Sequence, residues 1–483
     1  MTEKLVVALN EKGWARWTAL VLIALMMLAA YMFVDVMSPL QSLVETQRGW
    51  SPDAFGYYAG AEYILNVFGF LILAGIILDK MGVRFTGTLS ASVMVVGAFI
   101  KFYALSDAFQ GSALDSWLSS WWVDFPGSAK LAAFGFMIFG CGCEMAGITV
   151  SKIIAKWFAG KEMALAMGAE MALARFGVFA IFSISPRLAD SHWFGNNDPT
   201  VVIPVGFCAS LLLIGLICFL VFDVMDRTLD RQLGADKTKN DETAEEEFKL
   251  SDVKNIFSSQ LFWIIALLCV LYYSAIFPFQ RYAANMLQCN LGIDATTASD
   301  IFRWFPVGAA VITPLLGFFL DKKGKGASML ILGAILMILC HLTFALIVPR
   351  YPSEVIAFSA IIILGISFSL VPAALWPSIP KIMDARFLGS AYSLIFWVQN
   401  IGLALFPILI GQVLTASNPG VTDPMQYNYT NPMLLFAALG VLALFFGVWL
   451  RILDAKKHYG LELPNIKKTT EEEIFTSEGE SME

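Results

Sequence analysis

Charged side chains are scarce in this sequence: Asp, Glu, Lys and Arg make up 15% of 483 residues, against about 25% in soluble domains. So few charges cannot cover a water-exposed globular surface. Histidine is rarer still, with His192, His341 and His458 forming no cluster. Most of the seven cysteines lie in apolar segments (Cys141, Cys143, Cys208, Cys218, Cys269, Cys340), and the pair Cys141-Gly-Cys143 lacks metal-ligand spacing. They read as small buried residues, so neither a disulfide framework nor a metal site is expected. No basic block offers a nucleic-acid surface. No nucleophile–base pair is evident, so no enzyme and no cofactor is expected. The first apolar run is too long for a cleavable leader and lacks a small-residue cleavage site.

What fills the chain instead is apolar. Hydrophobic residues make up 58%, mean hydropathy is +0.69, and the excess runs from end to end. Twelve runs read as membrane spans: 17–43, 53–78, 86–106, 129–156, 162–188, 201–225, 258–286, 297–320, 327–348, 354–378, 387–416 and 431–453. Each meets the roughly 20 residues needed to cross about 30 Å of hydrocarbon. Backbone groups in lipid must be satisfied within the segment, so the spans are helices. The expected organisation is a six-helix bundle at 1–225, a cytosolic linker at 226–255, a second six-helix bundle at 256–455 and a disordered acidic tail at 456–483. Lys and Arg crowd the loops on one side: Lys80, Arg84, Lys152, Lys156, Lys161, Lys322, Lys323, Lys325, Lys381 and Arg386. The positive-inside rule then puts both termini and the linker in the cytosol.

Two loops repeat. Gly75-Ile-Ile-Leu-Asp79-Lys80-Met-Gly82-Val-Arg84 follows the second span, and Gly317-Phe-Phe-Leu-Asp321-Lys322-Lys-Gly324-Lys325 follows the eighth, 242 residues later. Such an offset suits two parallel repeats. The pattern resembles the cytoplasmic signature loop of the major facilitator superfamily, with a departure at Val83, where a basic residue is usual. The first glycine allows close helix approach. The second permits a tight turn. The aspartate suits a basic partner or a helix N-terminus in the neighbouring half. Gly75, Asp79, Lys80, Gly82, Arg84, Gly317, Asp321, Lys322 and Gly324 are therefore the expected gating residues.

Ionisable residues at membrane depth are costly and so mark candidate sites. Glu144 in span four lies about 18 Å from the level of Lys156, and Arg175 in span five about 21 Å from that of Lys161, at 1.5 Å per residue. Opposite charges thus share a depth near the midplane. They either pair with each other or grip the two ends of a zwitterion, Glu144 taking an ammonium and Arg175 a carboxylate. Glu170, a turn and a half before Arg175, is a candidate for proton coupling or a local salt bridge. Asp35 and Glu62 lie nearer the outer face as gate or hydration residues, and Lys101 is expected to snorkel. The second half offers aromatics and amides: Tyr272, Tyr273, Phe277-Pro278-Phe279 with a kink at the proline, Trp376, Gln399 and Asn400. Tyr272, Tyr273, Trp376 and Asn400 are the candidates to line the cavity.

Longer stretches are more specific. Cys143-Glu144, Lys156-Trp157-Phe158-Ala159-Gly160-Lys161-Glu162, Met171-Ala-Leu-Ala-Arg175, Leu250-Ser-Asp-Val-Lys254, Tyr272-Tyr273-Ser-Ala-Ile-Phe277-Pro278-Phe279, Ala374-Leu375-Trp376-Pro377, Leu388-Gly389-Ser390-Ala391-Tyr392 and Gln399-Asn400-Ile401-Gly402-Leu403-Ala404 resemble the major facilitator superfamily domain-containing protein 1 group. That group includes the lysosomal dipeptide uniporter. The resemblance implies dipeptide transport by facilitated diffusion, with Glu144 and Arg175 matching the family's substrate-contacting acid and arginine. Glu170 stands where a neutral amide is expected. The acidic dileucine sorting signal of the animal members is not evident in Met1–Trp14, which favours a prokaryotic plasma membrane; in a eukaryote the expected site is the lysosomal membrane. A monomer is expected, with no sign of the animal members' accessory subunit.

The leading expectation is an all-α major facilitator carrier that moves dipeptides or similar small zwitterions by alternating access, as a uniporter. Its rivals are a proton-coupled carrier of another small organic anion or drug, and a non-transporting membrane receptor on a carrier scaffold. Two gate loops argue against the receptor, since a sensor need not keep both.

Overall fold

A computed structural model describes residues 8–191, 198–233, 256–383 and 388–464. Most of the expected linker and most of the expected acidic tail lie outside the described residues. Spans one to six are Gly13–Asp35, Pro52–Val67 with the start of Phe70–Leu105, the rest of that helix beyond Gly82, Gly127–Trp157, Met163–Ala189 and Val202–Leu233. Spans seven to twelve are Gln260–Leu291, Ala295–Phe302 continued by Trp304–Lys323, Gly326–Leu342 with a π turn to Ile347, Glu354–Ile382, Leu388–Ser417 and Thr430–Lys457. Eleven helices among the described residues are long and apolar enough to cross a membrane. The twelfth crossing comes from Phe70–Leu105, which reverses at Gly82 (φ 76°, ψ 172°), a geometry open to glycine. We call the end of the bundle with the two repeated loops the motif face, and the opposite end the far face.

Three boundaries differ from the sequence reading. Span two breaks at Phe68–Gly69, where Gly69 has φ 91° and its N–H bonds to the Asn66 carbonyl at 3.1 Å. The sixth helix runs past Asp226 to Leu233 instead of yielding to a linker. Its carboxylates are tied down there: Lys156 Nζ bonds Asp226 at 2.8 Å and Asp230 at 2.7 Å, and Trp157 Nε1 donates to Asp226 at 2.8 Å. Arg84 joins the same cluster through Asp230, and Asp226 at 3.5 Å. Likewise the chain beyond Lys457 folds back as far as Leu463. The amides of Lys325 and Gly326 donate to the carbonyls of Glu462 and Leu461 (2.9 and 3.0 Å), and Leu461 is buried. Charge and polarity suggested tether and tail, but Asp226, Asp230 and Glu462 have partners far along the chain. The seventh helix runs unbroken through Pro278.

The halves meet tightly at the far face. A Cβ on Gly56 would lie 2.5 Å from the Pro407 carbonyl oxygen, and one on Gly411 2.5 Å from that of Pro52; Gly60 likewise abuts Ala404. These glycines let spans two and eleven touch backbone to backbone. At the motif face, a Cβ on Gly75 or Gly317 would meet nothing within 4 Å, and Phe68 is 82% exposed. The helix contact expected of the two motif glycines is not made in this conformation. The turn role is: Gly82 and Gly324 both have positive φ. Asp79 also differs from expectation, since its partner Lys152, at 2.7 Å, belongs to its own half. Lys80 and Lys322 are exposed, with Lys322 Nζ over the Phe318 ring at 4.2 Å.

Candidate substrate site

Glu144 and Arg175 project from neighbouring helices and are both half-buried. Neither has an oppositely charged partner within 4.0 Å among the described residues. The structural ion pair between spans four and five is therefore not formed here. Arg175 instead faces the second half. Its guanidinium carbon lies 5.9 Å from the Phe277 ring centre and 5.7 Å from that of Phe368, a range in which ring faces attract cations.

Those rings belong to a continuous aromatic wall. Tyr273 stacks on Phe277 (5.5 Å) and meets Phe368 edge-on (6.0 Å), while Trp376 Nε1 donates to the Tyr273 hydroxyl at 3.4 Å. Trp376 stacks on Phe396 at 4.8 Å and accepts a bond from Tyr392 at its carbonyl, 3.3 Å. Tyr273 and Trp376 are thus gathered with Arg175. Tyr272 is not. It is fully buried, and its hydroxyl donates to the Leu330 carbonyl of span nine. Consecutive helical residues point about 100° apart, so only one of the pair can face the cavity.

The amides divide in the same way. Gln399 accepts a bond from Cys269 at 3.2 Å, joining spans seven and eleven. Asn400 is buried, donates to the Phe396 carbonyl of its own helix at 3.0 Å, and leaves its Oδ1 without a partner among the described residues. Glu170 is half-buried within electrostatic reach of Arg175 but makes no salt bridge with it.

Three residues missed by the sequence reading complete the site. Tyr31 of span one is within electrostatic reach of Arg175, Glu144 and Glu170 together. Tyr63 of span two is within electrostatic reach of Glu62, Arg281 and Glu144. Asn66 is buried with both amide atoms unpartnered among the described residues. Trp50 meets Ser128, and Glu62 abuts Gly140, with equal spacing along two parallel helices; one further turn puts Asn66 level with Glu144. Nothing in the sequence marks these out, because tyrosines and asparagines at this depth are read as packing.

A second buried cluster closes the far face above this site. Arg281 of span seven bonds Asp35 of span one at 3.1 Å and Glu62 of span two at 2.5 Å, and Gln280 donates to Asp35 at 2.6 Å. Around it, Tyr427 donates to Glu45 at 2.8 Å, Ser42 to Gln288 at 3.1 Å, and Arg187 pairs with Asp300 at 2.7 Å. Each contact joins the two halves. Arg281 escaped the sequence reading because a basic residue near a span end reads as an interfacial anchor. Lys101 does not snorkel. It is fully buried beneath the same cluster, its Nζ 4.2 Å from the Phe33 ring centre and 4.5 Å from that of Phe136. Depth along a helix says nothing of which way a side chain points.

A far face sealed across the halves, opposite a motif face where a Cβ on Gly75 or Gly317 would touch nothing, is one state of an alternating-access carrier. The model of the Major Facilitator Superfamily matches residues 20–288 and 279–471, and the chain belongs to that superfamily of membrane transporters. Within it, the chain is 31% identical over 397 residues to "Lysosomal dipeptide transporter MFSD1" of Danio rerio, covering 81% of this chain and 77% of that one. The protein of the same name from Homo sapiens is 26% identical over 411 residues, with 83% and 80% covered. Among solved structures, the nucleoside transporter NupG superposes with a TM-score of 0.67 at 14% identity, over 90% of this chain and 99% of that one. A bacterial homologue of the human lysosomal transporter Spinster gives 0.65 at 15% identity, with 90% and 97% covered. These last two speak for the fold alone.

Proposed function

We propose that this carrier moves dipeptides or similar small zwitterions. Glu144 holds the substrate's amine and Arg175 its carboxylate, with Tyr273, Trp376 and Asn400 lining the cavity from the second half. One observation carries this: two opposite charges sit half-buried in consecutive spans, without counter-charges within 4.0 Å among the described residues. Charges at membrane depth need compensation, and a zwitterion supplies both ends of it at once. The names of the MFSD1 relatives support the dipeptide reading.

In this reading the motif face is cytosolic, as are the termini, and Asp79 and Asp321 with the loop residues around them serve as the gates of that face. The membrane is lysosomal if the cell is eukaryotic and the plasma membrane if it is not. Transport is uniport, with Glu170 the residue to which proton coupling would fall. Uphill uptake driven by an imposed pH gradient alone would rule out pure uniport.

The test is binding and flux with purified protein in liposomes, using dipeptides, amino acids and N-blocked dipeptides. Blocking the amine is expected to weaken dipeptide binding by about 10- to 100-fold, the worth of a charge-assisted hydrogen bond. Equal affinity for blocked and free dipeptides would remove Glu144 from its role. Saturable binding without flux would make the protein a receptor.

A further inference from the structure

We propose that Lys101 is a positioning residue of the transport cycle, the reserve counter-ion that takes over Asp35 and Glu62 when Arg281 leaves them. The inference rests on alternating access, which the fold supplies, and not on the identity of the substrate.

Arg281 belongs to the second half, while both carboxylates it holds belong to the first. Opening the far face must therefore pull the guanidinium away from two buried carboxylates at once. Leaving buried charges without partners is strongly unfavourable, so the opening needs a replacement cation or it will not occur readily. Lys101 is placed to be that cation. It lies on span three, in the same half as the carboxylates, and is within electrostatic reach of both Glu62 and Asp35.

Its present surroundings look like a waiting position. The ammonium is fully buried and has no hydrogen-bond partner among the described residues. Its company is three rings of the first half: Phe33 at 4.2 Å, Phe136 at 4.5 Å and Tyr58 at 5.1 Å. Ring faces hold a cation without neutralising it. The guanidinium of Arg281 stands over that same Phe136 ring, 5.6 Å from its centre. The two cations therefore share one ring, with one engaged on the carboxylates and the other not. A lysine suits the reserve place, because its point charge on a flexible stem can swing where the flat fork of arginine cannot.

The exchange is a rotation of one side chain within the first half. Lys101, Asp35, Glu62 and the three rings move together as the halves part, so the distance Lys101 must cover does not grow with opening. On reclosing, the bidentate grip of Arg281 displaces the lysine to its cage.

Two measurements without substrate test this. The first is the structure of the full chain carrying Gly60→Trp, which wedges spans two and eleven apart at the far face. Lys101 Nζ is expected within 4 Å of a carboxylate oxygen of Glu62 or Asp35, the ion-pair limit applied above; a Lys101 still seated on Phe33 and Phe136 overturns the proposal. The second uses spin labels at Thr46→Cys and Gln426→Cys, exposed far-face positions in opposite halves. Lys101→Met is expected to lower the far-face-open population about tenfold, and Lys101→Arg to change it less; in a Glu62→Gln background, where Asp35 alone awaits a counter-ion, Lys101→Met is expected to lower it less than about threefold. Glu62→Gln also removes a contact of Arg281, so the comparison is made within that background, where a residue that only fills space would show the same loss as in the native chain. An unchanged population in Lys101→Met, or an equal loss in the Glu62→Gln background, overturns the proposal.

Discussion

Glu144 and Arg175 are both half-buried and make no salt bridge with each other. An ion pair between them would have hidden both from any substrate, whereas their separation leaves each with free hydrogen-bonding capacity. If Glu144 selects for an amine, Glu144→Gln should weaken binding of free dipeptides by about 10- to 100-fold and leave N-blocked ones unchanged, removing the discrimination. Isothermal titration on the purified variant measures both. Tyr272 supplies the contrast. Its hydroxyl is bonded to span nine, so Tyr272→Phe should cost about 1 kcal/mol of stability with dipeptide affinity unchanged. Thermal melting read beside binding separates the two effects. At this scale the sequence told how deep each residue lies but not which way it faces. Depth alone singled out Glu144 and Arg175 as candidates, because charge is rare there. It failed for Tyr272 and Lys101, whose burial is decided by the direction of the side chain around the helix axis.

Among the elements, the twelve spans follow from hydropathy with ends displaced by a few residues. The break at Phe68–Gly69 did not, since a glycine within a span more often marks close packing than a bend. The motif loops show how far a repeat can be read. Its turn glycines behave as the pattern predicts, while its helix glycines await a state in which the motif face closes. Gly75→Leu should therefore leave the melting temperature of the present state within the scatter of surface substitutions, about 0.5 kcal/mol. It should slow counterflow in liposomes about tenfold or more, by blocking the closed motif face. Unimpaired counterflow would show that spans do not approach at Gly75. Asp79→Asn is expected to reduce transport with insertion and stability intact, because its exposed pair with Lys152 contributes under about 1 kcal/mol here. Membrane yield and melting against flux decide that.

Across the whole molecule, the repeat is symmetric in its turns and asymmetric in its chemistry. Glu144, Glu170 and Arg175 come from the first half, and the aromatic wall from the second. The far-face closure inverts the pattern: two carboxylates of the first half are held by one arginine of the second. Removing one member of a buried ion cluster costs about 3–5 kcal/mol, so Arg281→Gln should move the carrier from far-face-closed to far-face-open by a factor of roughly 150–4,000. Distances between spin labels on opposite halves report the shift, and an unchanged distribution would deny Arg281 its place in the closure. The sequence offered Asp35 and Glu62 as gate or hydration residues near the outer face but not their partner, because Arg281 lies more than 200 residues from either and only the fold brings it to them.

The reliance on a single guanidinium has a pharmacological consequence. To a small molecule arriving at the far side of the open carrier, the two carboxylates that Arg281 has vacated, with only the single ammonium of Lys101 between them, still form a net anionic receptor for a flat cation. An arginine mimic seated there would compete with the protein's own side chain and not with its cargo. Its inhibition would be noncompetitive, and it would hold the transporter open on one side like a doorstop.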